Sequence, residues 1–135
     1  MSLIEVMAGA MILVLVFIST FAVIQSGFEM MDVSRNTGLA GQILQSEIED
    51  IRLKNWAKLE ELGESTEPIE LPEAFNAVAS RFAATRTVES VDANMKKVTV
   101  RVTWTAYTGR THTRTYETFY TKGGLNDYYV TRVRS

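Results

Sequence analysis

The chain has 135 residues, 46% of them hydrophobic and 22% charged, with a formal net charge of −2 and no cysteine. That length allows one domain with a modest core, and the missing cysteine excludes disulfides, thiol catalysis and cysteine-ligated metals while leaving the compartment open. The charge is divided: residues 29–73 hold eleven acids and four bases (−7), residues 76–135 hold ten bases and four acids (+6), and Glu5 supplies the remaining −1, so the two halves are electrostatically opposite.

The chain opens on MSLIEVMAGAMILVLVFISTFAVIQSG, and from Val6 to Ile24 no residue is charged. The run matches the roughly 20 residues that a helix needs to cross a bilayer. No Lys or Arg precedes it and no small-residue cleavage site closes it, so it reads as a segment kept in the mature protein rather than a secretory signal. Glu5 is the one charge within this stretch. A carboxylate in a first helical turn complements the macrodipole by about 0.3–1 kcal/mol. An unpaired charge in a bilayer costs about 2.5–3.5 kcal/mol even on lenient scales, so the dipole does not offset the burial and a partner cation is expected.

Up to about Leu62 there is no proline, and AGQILQSEIEDIRLKNWAKLEEL is rich in helix formers. One helix over residues 1–62 is expected, with Gly63 as its stop, making a rod of about 90 Å. Its second half is amphipathic. Ala40, Leu44, Ile48 and Ile51 form a stripe, with Glu47, Glu49, Asp50 and Arg52 mostly off it. Bending or local melting is expected at Gly27, Gly38 and Gly41, because each interior glycine costs about 0.5–1 kcal/mol relative to alanine. After Gly63, ESTEPIELPEA reads as an exposed acidic linker. Pro72 is placed at the start of a short helix with Phe75, Val78 and Phe82 on one face.

From Thr85 the pattern changes to period two. In KKVTVRVTWTAY, Val98, Val100, Val102, Trp104 and Ala106 alternate with Thr99, Arg101, Thr103 and Thr105, as in a strand with one covered face. TGR separates it from THTRTYETFYTK, which makes a hairpin. A three-residue loop with Gly109 near its end would pair Val98 with Tyr120 and Val102 with Tyr116. Further strands are expected around Arg86–Val91 and Tyr128–Val133. The fold class is therefore α+β: a long N-terminal α-helix, apolar in its first half, with a small C-terminal antiparallel β-sheet packed on its second half. Residues 1–28 form the transmembrane or core half of the helix and residues 29–135 the globular head.

The opening MSLIEVM resembles the amino-terminal motif of the type IV pilin and pseudopilin superfamily. In that motif a hydrophobic or methionine residue is followed by a small residue, Leu, Leu or Ile, and Glu, then by an apolar helix. Met1, Ser2, Leu3, Ile4 and Glu5 fall on those positions in order, and the likeness covers roughly the first 25 residues. It implies that Met1 is the N-methylated end left by a prepilin peptidase, which would explain the missing basic flank. It also implies storage in the inner membrane, extraction by the pilus assembly machinery and helical homo-oligomerisation into a filament. In that filament Glu5 would pair with the residue 1 amine of a neighbour. Many major pilins have a glycine where this chain has Val14 and a proline where it has Ala22. The difference implies a helix continuous through that region and a likeness to the minor pilins and minor pseudopilins of secretion systems or pilus tips.

Two further readings stand beside it. The apolar run would also serve as a plain anchor for a binding module. The basic half, with Lys96, Lys97, Arg101, Arg110, Arg114, Arg132 and Arg134 among Tyr and Trp, would suit nucleic acid. A contact between the basic sheet of one subunit and the acidic helix or linker of the next accounts better for Lys96, Lys97, Arg101, Arg110 and Arg114. No enzyme, cofactor or metal site is assigned. His112 is the only histidine and is placed at a strand edge or facing solvent, and no Ser has a nucleophile setting. Glu47, Glu49 and Asp50 do not converge on a helix as calcium ligands would, and GGLND carries only Asn126 and Asp127 near backbone carbonyls. No Asn-x-Ser/Thr site is present.

Overall fold

The computed structural model describes residues 2–125. The expected strand around Tyr128–Val133 lies outside them, as do Met1, Asn126, Asp127, Arg132 and Arg134. The described residues have the expected α+β architecture, a long helix followed by a four-stranded antiparallel sheet that packs on the helix's second half.

Helix α1 runs unbroken from Leu3 to Arg52, 50 residues or about 75 Å. It passes through Val14 and Ala22 without interruption, as expected. Gly27, Gly38 and Gly41 remain helical, so no local melting occurs there; a cost of about 1 kcal/mol at each is small against the cooperativity of a 50-residue helix. The hydroxyls of Ser19 and Thr20 donate to the carbonyls of Leu15 and Val16, both at 2.8 Å. The two hydroxyls of the apolar run thus have acceptors inside the helix itself.

The helix ends ten residues earlier than expected. Leu53 closes α1, and a second helix, α2 (Trp56–Glu61), starts after Asn55, whose side chain accepts the N–H of Lys58 at 3.1 Å. Continuing straight, the stripe that holds Ile48 and Ile51 would next present Asn55 and Lys58 to the core. The break turns Trp56 and Leu59 inward instead, and both are buried. Gly63, at φ +64°, does end α2.

The linker also holds more structure than expected. Thr66–Pro68 forms a short edge strand, β1, antiparallel to β2 (Phe82–Asp92), and the Ile69 N–H donates to the Ala84 carbonyl at 2.9 Å. Its three residues are exposed, as the linker reading implied, and its brevity and proline suit an edge. In place of the short helix after Pro72 there are two 3₁₀ turns, Glu73–Phe75 and Ala79–Arg81. Phe75, Val78 and Phe82 nevertheless converge on one side of the core.

Strands β3 (Met95–Thr105) and β4 (Thr111–Thr121) complete the sheet, in the order β1-β2-β3-β4. Val98, Val100, Val102, Trp104 and Ala106 are all buried, as their alternation predicts. The hairpin loop has three residues, but they are Tyr107, Thr108 and Gly109: Ala106 and Arg110 are bonded across it, and Gly109 at φ +81° closes the turn. The register is therefore offset by two from that expected, with Val100 opposite Tyr116 and Lys96 opposite Tyr120. The offset is even, so every side chain keeps its expected face.

Against α1 the sheet builds two apolar clusters. Ala40 and Ile43 meet Phe82, Ala84, Val102 and Trp104; Ile48 and Ile51 meet Leu59, Val88, Val98, Val100 and Tyr120. Between them lies a charged layer. Glu47, on the buried face rather than off it, accepts a 2.7 Å hydrogen bond from Arg86, whose second nitrogen reaches Glu67 on β1 at 3.3 Å.

Candidate membrane and assembly site

The sheet covers only the second half of α1. The first buried residue of the helix is Asn36, and the large apolar side chains before it, from Leu3 and Ile4 through Phe17 and Phe21 to Met31, are exposed. The head leaves them exposed, approaching this stretch only at its end, where the β3–β4 turn shares a cleft with Ala22 and Phe28. An unpacked apolar surface of this extent belongs in lipid or against other protein. By length and composition this is one helix able to cross a membrane.

Glu5 lies in the first turn of α1, its N–H donating to the Ser2 carbonyl at 3.0 Å. Ser2 makes no side-chain cap, and among the described residues no cation pairs with the Glu5 carboxylate. Leu3 and Ile4 beside it are exposed.

The head's cations have diverse positions. Lys96 is buried: its Nζ lies 3.4 Å from the Leu59 carbonyl and 5.7 Å from the centre of the Trp56 ring, so it ties α2 to the sheet. Lys97, on the outer face, sits between Glu89 at 3.7 Å and Glu117 at 3.4 Å. Arg101 on β3, Arg110 after the turn and Arg114 on β4 are exposed. The five are thus not one patch. Composition could not separate Lys96 from the rest, whereas its even position on the valine-bearing face of the strand could have done so. His112 is on β4, the edge strand among the described residues, but its ring stacks on Trp104 at 5.4 Å rather than facing solvent. Among the described residues no group of three or more acids and histidines is placed to hold a metal.

Where helix and head meet, an open cleft of about 780 Å³ is lined by Ala22, Gln25, Ser26, Phe28, Glu29 and Asp32 of α1 and by Tyr107 and Thr108 of the β3–β4 turn. Asp32, above the apolar run, fastens the turn to the helix. Its carboxylate accepts the Tyr107 N–H at 3.0 Å, and the Arg81 guanidinium donates to it at 3.3 Å while also reaching the Thr105 carbonyl. Chiefly through the Tyr107 N–H, and with help from Arg81 against partial desolvation, the Asp32 carboxyl is held below its ordinary value of 3.8. A carboxyl with a lowered folded-state pKa contributes stability that is present above the unfolded value and lost as pH falls through the folded one. Melting of the full chain in detergent is thus expected to lose up to about 1 kcal/mol from this group below pH 3.8, the bond being partly solvent-screened. Asp32→Asn should flatten that part of the acid limb and leave melting near neutral pH lower than in the parent; an unchanged limb would assign it to other carboxylates.

Comparison of the chain with protein families, with curated proteins and with solved structures finds no match. What the geometry offers is an apolar half-helix that its own head leaves exposed, one carboxylate near the helix start with no partner among the described residues, and a head fixed at the helix's far half. The long apolar helix followed by an antiparallel sheet is compatible with a pilin-like fold and with membrane anchoring.

Proposed function

We propose that the protein is a structural subunit of a type IV pilus-like helical filament. It is stored in the inner membrane through the first half of α1 and assembles by packing that half against the same half of neighbouring copies. The observation that carries this reading is the combination of an exposed apolar half-helix with Glu5 near its start. A simple anchor needs the apolar residues but gains nothing from a carboxylate that raises the cost of insertion. A subunit that must dock in one register does gain from it, because a buried charge fixes which neighbour fits. The pilin resemblance gives the partner as the amine of residue 1 on a neighbouring copy.

The unbroken helix through Val14 and Ala22 favours a second form of the same reading, a minor pilin or a minor pseudopilin of a secretion system. Electron microscopy of fibres sheared from the cell surface, with mass spectrometry of their subunits, distinguishes these. A major subunit dominates the fibre mass and carries a methylated residue 1, whereas a minor one is scarce and concentrated at fibre ends. A protein that stays in the membrane fraction and enters no fibre, even when overproduced with its assembly machinery, would be an anchored binding module instead.

A further inference from the structure

We propose that the β3–β4 turn is a second membrane contact: while α1 spans the bilayer, Tyr107 and Thr108, with Phe28 beside them, rest in the phospholipid headgroup region. The inference rests on the membrane-storage reading above. Residues 6–28 carry no charge, a length of about 35 Å against a hydrocarbon core of about 30 Å. About twenty residues on from Val6 the chain reaches Gln25 and Ser26, the first polar pair after Thr20, and there the helix leaves the hydrocarbon. The turn, anchored about two helical turns further on at Asp32, lines a cleft that reaches back to that level. Gln25, Phe28 and Asp32 share one cleft with Tyr107 and Thr108, and the 3.0 Å bond from the Tyr107 N–H to Asp32 holds the turn to the helix.

The chemistry of the contact suits a lipid interface better than open water or an apolar partner. Tyr107 is 90% exposed and Phe28 68%, and amphipathic aromatic side chains settle where hydrocarbon meets headgroups. Arg110, directly after the turn, is exposed, and a cation beside an interfacial aromatic is placed to meet lipid phosphates. The turn is also rigid enough to act as a support, being closed by the Gly109 N–H to the Ala106 carbonyl at 2.9 Å and the Ala106 N–H to the Arg110 carbonyl at 2.8 Å. Two points of contact, one through the bilayer and one on it, would fix the tilt at which the head stands before assembly.

Because the chain lacks cysteine, single cysteines can carry a fluorophore. Tyr107→Cys tests the turn, Val91→Cys marks the opposite end of the sheet and Leu13→Cys marks the span. The full chain is placed in phosphatidylcholine–phosphatidylglycerol vesicles with nitroxides on the headgroups or deep in the acyl chains. The label at 107 should be quenched by headgroup nitroxides roughly threefold more than the label at 91, and the label at 13 by deep nitroxides. Equal quenching at 107 and 91 with deep quenching at 13 overturns the contact but keeps the span. Shielding of 107 from aqueous iodide without lipid quenching assigns the turn to a protein partner and also overturns it. Loss of deep quenching at 13 removes the membrane reading and this inference with it.

Discussion

Glu5→Ala is expected to yield a stable, membrane-resident protein that forms almost no filament. If Glu5 pairs with a neighbour's amine in an apolar bundle, its removal leaves that cation buried and unmatched, a loss of about 3–5 kcal/mol per docking step. At 1.4 kcal/mol per factor of ten, subunit affinity should fall by roughly two to four powers of ten. If Glu5 only complements the helix dipole, the change is about 0.3–1 kcal/mol, a few-fold at most. Glu5→Gln separates the two further, since it keeps a hydrogen-bonding group of the same size and removes the charge that pairing requires. Fibre mass per cell, normalised to subunit in the membrane fraction, is the measurement. Normal fibre yield from both variants would rule out the pairing.

The reason Glu5 could be singled out is that its surroundings are chemically uniform: one charge among apolar residues raises a question by itself. The β3 alternation was legible for a similar reason, since five apolar side chains at period two require a covered face whatever the neighbouring elements do. Register depended on finer detail. Gly109 identified the loop, but only its positive φ shows that it is the last loop residue, which moves the pairing by two. The end of α1 was hidden because Asn55 and Lys58 are acceptable helix residues locally. What excludes a straight helix there is the sheet that would face them, and that is tertiary information. Glu47 departs from the rule that charges lie off the stripe, because Arg86 meets it on the buried face. The opposite signal was present: Ile43, Glu47 and Ile51 repeat every four residues on α1, while Ala84, Arg86 and Val88 repeat every two on β2. Each buried row thus carries one charge, and the two are of opposite sign.

That pair supplies the largest expected effect on the fold. Glu47 and Arg86 have side chains only 9% and 14% exposed, and the layer they form separates the two apolar clusters between helix and sheet. Removing either partner alone, as in Glu47→Ala or Arg86→Ala, leaves the other charge in a poorly solvated position, at a cost of about 3–5 kcal/mol. For a domain of this size that corresponds to a fall in melting temperature of at least about 10 °C. Glu67, whose side chain is 48% exposed, touches the same guanidinium from β1, and its loss should matter little, at most about 1 kcal/mol after solvent screening. Replacing both partners with apolar residues, Glu47→Leu with Arg86→Met, should recover most of the loss, because no charge is then left buried and the two clusters can merge. The double-mutant cycle, read by thermal melts of the full chain in detergent, should therefore be strongly non-additive. Additive losses of under about 1 kcal/mol each would show that water reaches the pair and that the apolar clusters alone hold the sheet on the helix. The merged core would carry a second consequence. The ion pair is the one helix-to-sheet contact in this layer that recognises a single axial position of α1. Without it, Ile43, Ile48 and Ile51 present similar apolar surface to the sheet, and the head's seat along the helix rests on the Asp32 bonds to Tyr107 and Arg81 at one end of the sheet.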